Sequence, residues 1–193
     1  MKYMGSKRVM LQNGLGKLLI KMASESNRVF DPFCGSGIVT WYLSENCDRK
    51  VIAGDLQEYS IVMANALLLR DRPLTATEFN LLDEWSHLPE GFYTPVSYSK
   101  VGEPEGENIY HERIRCSESN DPITRAYGGY YFSFVQAQII DQLLKNLPTE
   151  PKLESIALAA LIEAASVCVA APGHTAQPFR PTEKGLLDRK SVV

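Results

Sequence analysis

A glycine-containing turn after a short predicted strand holds the residues best suited to ligand binding. Residues 28–31 form that strand, and the turn then reads Asp31, Pro32, Phe33, Cys34, Gly35, Ser36 and Gly37 before a predicted helix. Glycines let the backbone approach a ligand closely, and a helix N-terminus accepts an anionic group. The dinucleotide fingerprint is incomplete because position 40 is Thr40, and no Gly-Lys-Ser/Thr follows. The pattern therefore argues against a nucleotide diphosphate.

A second acid lies at the end of the next predicted strand, residues 51–55. This acid is Asp55, and a helix over 58–70 follows it. In doubly wound sheets, an acid at this place accepts hydrogen bonds from ribose hydroxyls. An amphipathic helix over 8–22 precedes these elements, which together make one β-α-β-α unit. A ligand that carries a ribose fits this arrangement.

The chain after residue 71 is predicted to be helical and irregular. Prolines and glycines break up residues 72–125, where we expect an irregular insertion with one helix over 74–85. Ser133 is a plausible N-cap for a long helix, and a second long helix covers 153–170 with an apolar stripe that predicts core packing. The tail after these helices is expected to be extended or a hairpin.

Composition indicates a packed globular protein, which we expect in the cytoplasm. The 193 residues are 45% hydrophobic and 22% charged, and no apolar run is long enough to span a bilayer. The four cysteines form no Cys-x-x-Cys pair and the three histidines share no metal-ligand spacing, so neither a zinc site nor a disulfide framework is predicted. A Gly-x-Ser-x-Gly elbow is also absent, which argues against a serine hydrolase.

Charge is distributed unevenly along the chain, whose net charge is −3. Residues 1–24 hold five basic residues and no acid, and residues 172–193 hold four basic residues and two acids. Residues 71–171 hold fifteen acids and seven bases. A polyanion is therefore expected at the two ends of the sequence, although solvated helix faces produce similar unevenness.

Three segments together resemble the D12 (Dam-like) class of adenine-specific DNA N6-methyltransferases. They are the arm Tyr3-Met4-Gly5-Ser6-Lys7, similar to an aromatic-x-Gly-Gly/Ser-Lys element, the glycine turn, and Gly54-Asp55-Leu56. The resemblance implies a partial Rossmann-like α/β fold that binds S-adenosylmethionine. It also implies that the cofactor contacts are made by the turn residues, by Tyr3 and Lys7 of the arm, and by Leu56, with Asp55 holding the ribose.

A further resemblance concerns the recognition insertion of some members. Tyr131-Phe132-Ser133, the long helix and Pro172-Gly173-His174-Thr175 carry it. It implies a cofactor-binding part over 1–71 and a helical and irregular recognition region over 72–193. The side chains of the tail that suit DNA phosphates or base edges are His174, Gln177, Arg180 and Lys184. The same residue types equally suit a solvated loop.

The catalytic turn of that class is missing from these residues. An Asp/Asn-Pro-Pro-aromatic turn accepts the protons of the flipped adenine amino group, but no two of the eleven prolines are adjacent. In the Dam-like order this turn follows the recognition insertion, and the predicted strands are too few for a complete sheet. We expect a second polypeptide with an Asp-Pro-Pro-Tyr turn to complete the sheet, either a natural split partner or the remainder of a truncated protein.

Three functions are compatible with these features. The first is the cofactor-binding and DNA-recognition subunit of a heterodimeric DNA adenine N6-methyltransferase, inactive alone and acting on double-stranded DNA, for example in restriction and modification. The second is a methyltransferase of the same fold that acts on RNA or on cytosine N4. The third is a noncatalytic DNA-binding or regulatory subunit with a vestigial turn. Affinity for S-adenosylmethionine separates the third function from the other two.

Overall fold

A computed structural model describes residues 7–88, 107–171 and 177–178, which combine helices with a small parallel sheet. The chain divides into two compact units. The described part of the sheet unit is residues 7–79 and 148–160, and that of the helical unit is residues 80–88, 107–147 and those from 161 onward. Among the described residues, no helix is both long and apolar enough to cross a bilayer.

The sheet unit begins with a helical stretch that is interrupted. Its parts are α1 (Lys7–Met10), a π-helical segment (Leu11–Leu15) and α2 (Gly16–Ser24). Asn13 and Gly14 leave helical geometry, Gly14 with a φ of 108°. The continuous helix predicted over 8–22 is therefore wrong at its centre, because glycine readily adopts a positive φ that ends regular helix pairing. Leu11 is buried, whereas Leu18 and Met22 are exposed.

The predicted β-α-β-α unit follows. It consists of β1 (Arg28–Asp31), α3 (Ile38–Asn46), β2 (Lys50–Ala53) and α4 (Glu58–Leu68). The two strands pair in parallel, with Asp31 opposite Ala53. Because parallel strands end at the same edge, the turn after β1 lies beside the residues after β2. Strand β2 ends at Ala53, two residues before the end at Asp55 that the sequence predicts.

An ion-pair network holds the remaining part of the sheet unit together. Helices α5 (Ala76–Ser86) and α9 (Pro151–Cys168) begin in this unit. Glu78 accepts two hydrogen bonds from Arg72, at 2.8 and 3.0 Å, and one from Lys152 at 2.7 Å. It also accepts from the backbone N–H of Thr75 at 2.7 Å. These contacts join residues that are 74 positions apart in the sequence.

The helical unit is built around α8 (Phe134–Lys145), with α6 (Glu107–Ser117) and α7 (Pro122–Tyr127) beside it. Ser133 caps α8 as predicted, because its hydroxyl accepts from Gln136 N–H at 3.2 Å and Gln136 Oε1 accepts from Ser133 N–H at 3.1 Å. The core of this unit contains the buried residues Phe132, Ala137, Ile139, Ile140, Leu143, Leu161 and Cys168.

Helices α6 and α7 correct the expectation of an irregular segment up to residue 125. Helix α6 carries a charged and polar sequence with little apolar periodicity, so the pattern alone did not indicate it. Its buried face is instead fixed by tertiary contacts, since Glu112 Oε1 accepts from Phe134 N–H at 2.8 Å and Cys116 is buried. Helix α7 begins where buried Asp141 accepts from the N–H groups of Ile123 and Thr124, at 2.9 and 2.8 Å.

Candidate functional site

The turn after β1 is built by continuing the pairing of the two strands. Gly54 N–H donates to the carbonyl of Asp31 at 2.9 Å, and Cys34 N–H donates to the carbonyl of Gly54 at 3.0 Å. Gly37 N–H then donates to the carbonyl of Cys34 at 2.9 Å and closes the turn. The backbone of the glycine turn is therefore fixed against the residues that follow β2.

Both glycines of the turn have backbone conformations that L side chains rarely adopt. Gly35 has a φ of 53° and Gly37 a φ of 74°. Gly37 is also the N-cap of α3, and a Cβ there would lie 2.9 Å from the Cα of Ala64 on α4. Glycine at position 37 therefore permits both the turn and the close approach of α3 to α4.

Asp55 joins the turn to the start of α4. Its Oδ2 accepts from Gly35 N–H at 2.9 Å, and its Oδ1 accepts from Gln57 N–H at 3.0 Å. These backbone hydrogen bonds, the one from Gln57 first, hold the pKa of Asp55 below its usual value. Asp55 is therefore a carboxylate at neutral pH, and each oxygen keeps a further lone pair that can accept from a ligand hydroxyl.

The carboxylate of Asp31 accepts a hydrogen bond from Thr40, the residue at the position of the third glycine in the dinucleotide fingerprint. The hydroxyl of Thr40 donates to Asp31 Oδ2 at 2.9 Å, and Thr40 is fully buried in α3. This contact links the end of β1 to the first turn of α3. The sequence showed only that position 40 is not glycine, and it gave no sign of the hydrogen bond.

Cys34 is a structural member of the turn. Its side chain is buried, and burial, together with the charges of Asp31 and Asp55, raises the pKa of its thiol. A thiol with a raised pKa stays protonated at neutral pH and is a poor nucleophile. Cys34 therefore contributes packing and not covalent chemistry, and Ser36 beside it is partly buried.

Apolar side chains at this edge of the sheet unit are left in solvent. Phe33 is 70% exposed and Leu56 is 91% exposed, and Pro32 is exposed between the strand and Phe33. These residues flank the glycine turn and Asp55, so a ligand bound there would meet apolar surface next to a carboxylate. This combination suits a nucleoside, which has a flat ring and a hydroxylated sugar.

Of the predicted site residues in the N-terminal arm and the tail, only Lys7 and Gln177 lie within the described residues. Lys7 is exposed at the start of α1, which packs against α3, and Tyr3 lies outside the described residues. Gln177 is described and exposed, whereas His174, Arg180 and Lys184 lie outside the described residues. DNA contact by these four tail residues stays a prediction. In the part of the chain that the structure describes, no group of three His, Cys, Asp or Glu side chains is placed to hold a metal ion.

The site combines two parallel strands, a glycine turn after the first strand and an acid after the second, which is an arrangement of the doubly wound α/β class of proteins. Comparison with family models identifies the family within that class. The model of the D12 class N6 adenine-specific DNA methyltransferases matches residues 3–180, so the chain belongs to this family. The predicted resemblance to the D12 class is thereby confirmed, and the small parallel sheet is compatible with an α/β methyltransferase fold. No curated protein and no solved structure matches the chain.

Proposed function

We propose that this chain is the cofactor-binding and DNA-recognition subunit of a two-chain DNA adenine N6-methyltransferase. The observation that carries the proposal is the hydrogen bond from Gly35 to Asp55, which joins the glycine turn to the acid after β2. Membership of the D12 class supports adenine in DNA as the methyl acceptor. We assign cofactor binding to residues 1–71 and DNA recognition to residues 72–193. We expect the protein in the cytoplasm.

The residues of the turn suit S-adenosylmethionine. The second lone pairs of the Asp55 carboxylate would accept from the ribose hydroxyls, and Leu56 and Phe33 supply apolar surface for the adenine ring. The N-terminus of α3, which begins after Gly37, favours the carboxylate of the methionine part. When bound, the cofactor supplies a methyl group on a positively charged sulfur. Cys34 stays a neutral thiol and does not compete for that methyl group.

The sheet unit also supports the proposal that a second polypeptide supplies the catalytic turn. Among the described residues β1 pairs only with β2, so one edge of each strand has no strand partner there. Phe30, in the middle of β1, is 61% exposed, which is unusual for a strand of a parallel sheet covered on both faces. A further parallel strand beside β1 would pair this edge and bring an Asp-Pro-Pro-Tyr turn to the same end of the sheet, and the exposed Phe30 marks a face of the sheet that a partner would also cover.

The two chains would have different roles in the reaction. The chain orients the methyl donor through the glycine turn and Asp55, while the acceptor oxygens of the partner's turn hold the adenine amino group. The 193 residues contain no adjacent prolines, so they cannot form that turn themselves. We therefore expect the chain to bind the cofactor in the absence of its partner, and to methylate DNA only together with that partner.

Mass spectrometry of DNA from expressing cells tests this proposal. N6-methyladenine would be measured after expression of this chain alone, of the adjacent open reading frame alone, and of both together. The proposal expects methylation only in the pair, and loss of that methylation when Gly35→Val is introduced. Methylation by the chain alone would contradict the two-chain organisation. Absence of N6-methyladenine from every combination would favour a noncatalytic subunit. Detection of methylated RNA or of N4-methylcytosine instead would show that the enzyme has a different methyl acceptor.

A further inference from the structure

The two faces of the sheet formed by β1 and β2 differ in what covers them. Side chains alternate between the faces along a strand, and residues opposite each other in parallel strands share a face. The carboxylate of Asp31 accepts from the buried hydroxyl of Thr40, so α3 packs on the face that bears Asp31. Phe30 therefore lies on the opposite face, where Ile52 is its register partner. Because Phe30 is 61% exposed, this second face leaves an aromatic side chain in solvent.

The middle of this second face is apolar. The ring of Phe30 lies along the backbone after β2, since a Cβ built on Gly54 would be 3.6 Å from its Cε2 atom. Ile52, the half-buried neighbour of Phe30, extends the apolar surface across β2. Parallel sheets are covered by helices on both faces, because their strands carry apolar side chains on each side. The apolar face of a helix is therefore the element that this surface fits.

Two cations lie at the beginning of the same face. Arg28 and Lys50 are the first residues of β1 and β2 and are register partners, so they share the face that bears Phe30. Both are exposed, and within the described residues neither has a carboxylate within 4.0 Å. Like charges directly opposite each other destabilise a strand pair. A carboxylate placed between Arg28 and Lys50 would therefore remove a repulsion in addition to forming ion pairs.

We propose that Arg28, Phe30, Lys50 and Ile52, here called the open sheet face, bind an amphipathic helix of the second polypeptide. That helix would be apolar over Phe30 and Ile52 and acidic over the two cations. The inference rests on the proposed function and adds a contact on a sheet face to the strand pairing at the β1 edge. A second copy of this chain fits less well, because an isologous contact offers the same face, and its four residues include no acid.

Assembly of the two purified chains tests the open sheet face. The probe is the product of the adjacent open reading frame, titrated into the full chain by calorimetry at about 50 and 200 mM salt, between which charge screening changes strongly. Phe30→Thr keeps a strand-forming residue and should lower the affinity at least about tenfold, since a large apolar side chain is no longer buried. Arg28→Glu and Lys50→Glu should each lower it about tenfold at the lower salt and less at the higher salt.

Lys21→Glu is the matched control. Lys21 is an exposed base of α2, which packs against α3 and so lies away from the open sheet face. This variant makes the same charge change and should keep the affinity within about twofold of the wild type. Thermal melting of each variant shows whether it is folded. If Phe30→Thr does not fold, Arg28→Glu and Lys50→Glu carry the test.

Three outcomes would overturn the inference. They are unchanged affinity in folded Phe30→Thr, unchanged affinity in both charge-reversal variants, and a dimer of the chain alone that Phe30→Thr dissociates, which would assign the face to a second copy.

Measuring N6-methyladenine with the same pairs of chains keeps the two proposals separate. If the wild-type pair assembles and methylates DNA while the variants assemble equally well, only the open sheet face fails. If the two wild-type chains do not bind each other, the proposed function fails, and this inference fails with it. Arg28→Glu and Lys50→Glu lie at the opposite end of the strands from the glycine turn, so S-adenosylmethionine binding by the chain alone should be unchanged in both.

Discussion

The backbone N–H of Gly35 donates to Oδ2 of Asp55 over 2.9 Å, across twenty positions of the sequence. The other carboxylate oxygen accepts from Gln57 N–H, so one side chain fixes both the glycine turn and the start of α4. Asp55 is thus a positioning residue for the turn before any ligand binds. The same carboxylate keeps acceptor capacity for a ligand hydroxyl, which is the role that the proposed function assigns to it.

The first prediction concerns the stability of this turn. Asp55→Asn leaves one acceptor oxygen for two N–H donors, so one of the two hydrogen bonds must be lost. Hydrogen exchange at the amides of Gly35 and Gln57 should then be faster, by about tenfold for the amide that loses its partner. Glu58→Gln, at an exposed carboxylate in the first turn of α4, is the control and should leave both amides protected. Equal protection in Asp55→Asn and the wild type would contradict the geometry.

The second prediction concerns Gly37. Gly37→Ala places a side chain at a φ of 74° and a Cβ 2.9 Å from the backbone of Ala64. It should lower the free energy of unfolding by about 1–3 kcal/mol, as expected for a strained backbone position. The matched variant is Gly54→Ala, whose Cβ would meet only the ring of Phe30 at 3.6 Å. Urea denaturation should show a clearly smaller change for Gly54→Ala, and similar losses would argue against this packing.

The third prediction is a pH dependence that arises from Glu78. Hydrogen bonds from Arg72, then from Lys152 and Thr75, hold the pKa of Glu78 far below its usual range. A carboxyl group with a lowered folded pKa stabilises the native state above its unfolded pKa, near 4.3 for glutamate, and this contribution is lost as the pH falls further. The thermal midpoint should therefore fall more steeply with acidification, below about pH 4.5, in the wild type than in Glu78→Gln. Parallel curves for the two proteins would refute the assignment.

The fourth prediction concerns the cysteines. None of the four forms a disulfide, and Cys34, Cys116 and Cys168 are buried, whereas Cys47 is partly exposed. Burial, with the charge of Glu112, raises the pKa of Cys116 to about 12, so its thiolate population at pH 8 is very small. A thiol reagent should therefore modify Cys47 rapidly in the native protein and the other three only after unfolding. Rapid native labelling of Cys116 would show that α6 does not pack as described.

The sequence predicted those features that depend on near neighbours. The β-α-β-α unit follows from short apolar strands and glycine punctuation, and Ser133 was identified as the cap of α8 because capping involves only residues within one helical turn. Helix α6 was missed because its burial depends on residues distant in the sequence, such as Phe134, whose N–H donates to Glu112, and not on its own periodicity. The hydrogen bond from Thr40 to Asp31 was also beyond prediction, since it requires the fold to bring α3 to the end of β1.

Binding of S-adenosylmethionine to the full chain in the absence of any partner is the measurement on which the proposed function depends. Isothermal titration calorimetry would compare the wild type with Asp55→Ala, and Glu58→Gln would serve as the control. We expect one bound equivalent for the wild type and the control. In Asp55→Ala the affinity should fall at least about tenfold, since that variant loses both the hydrogen bonds that fix the turn and the proposed ribose acceptor. No binding by the wild type, or equal affinity for the wild type and Asp55→Ala, would contradict it.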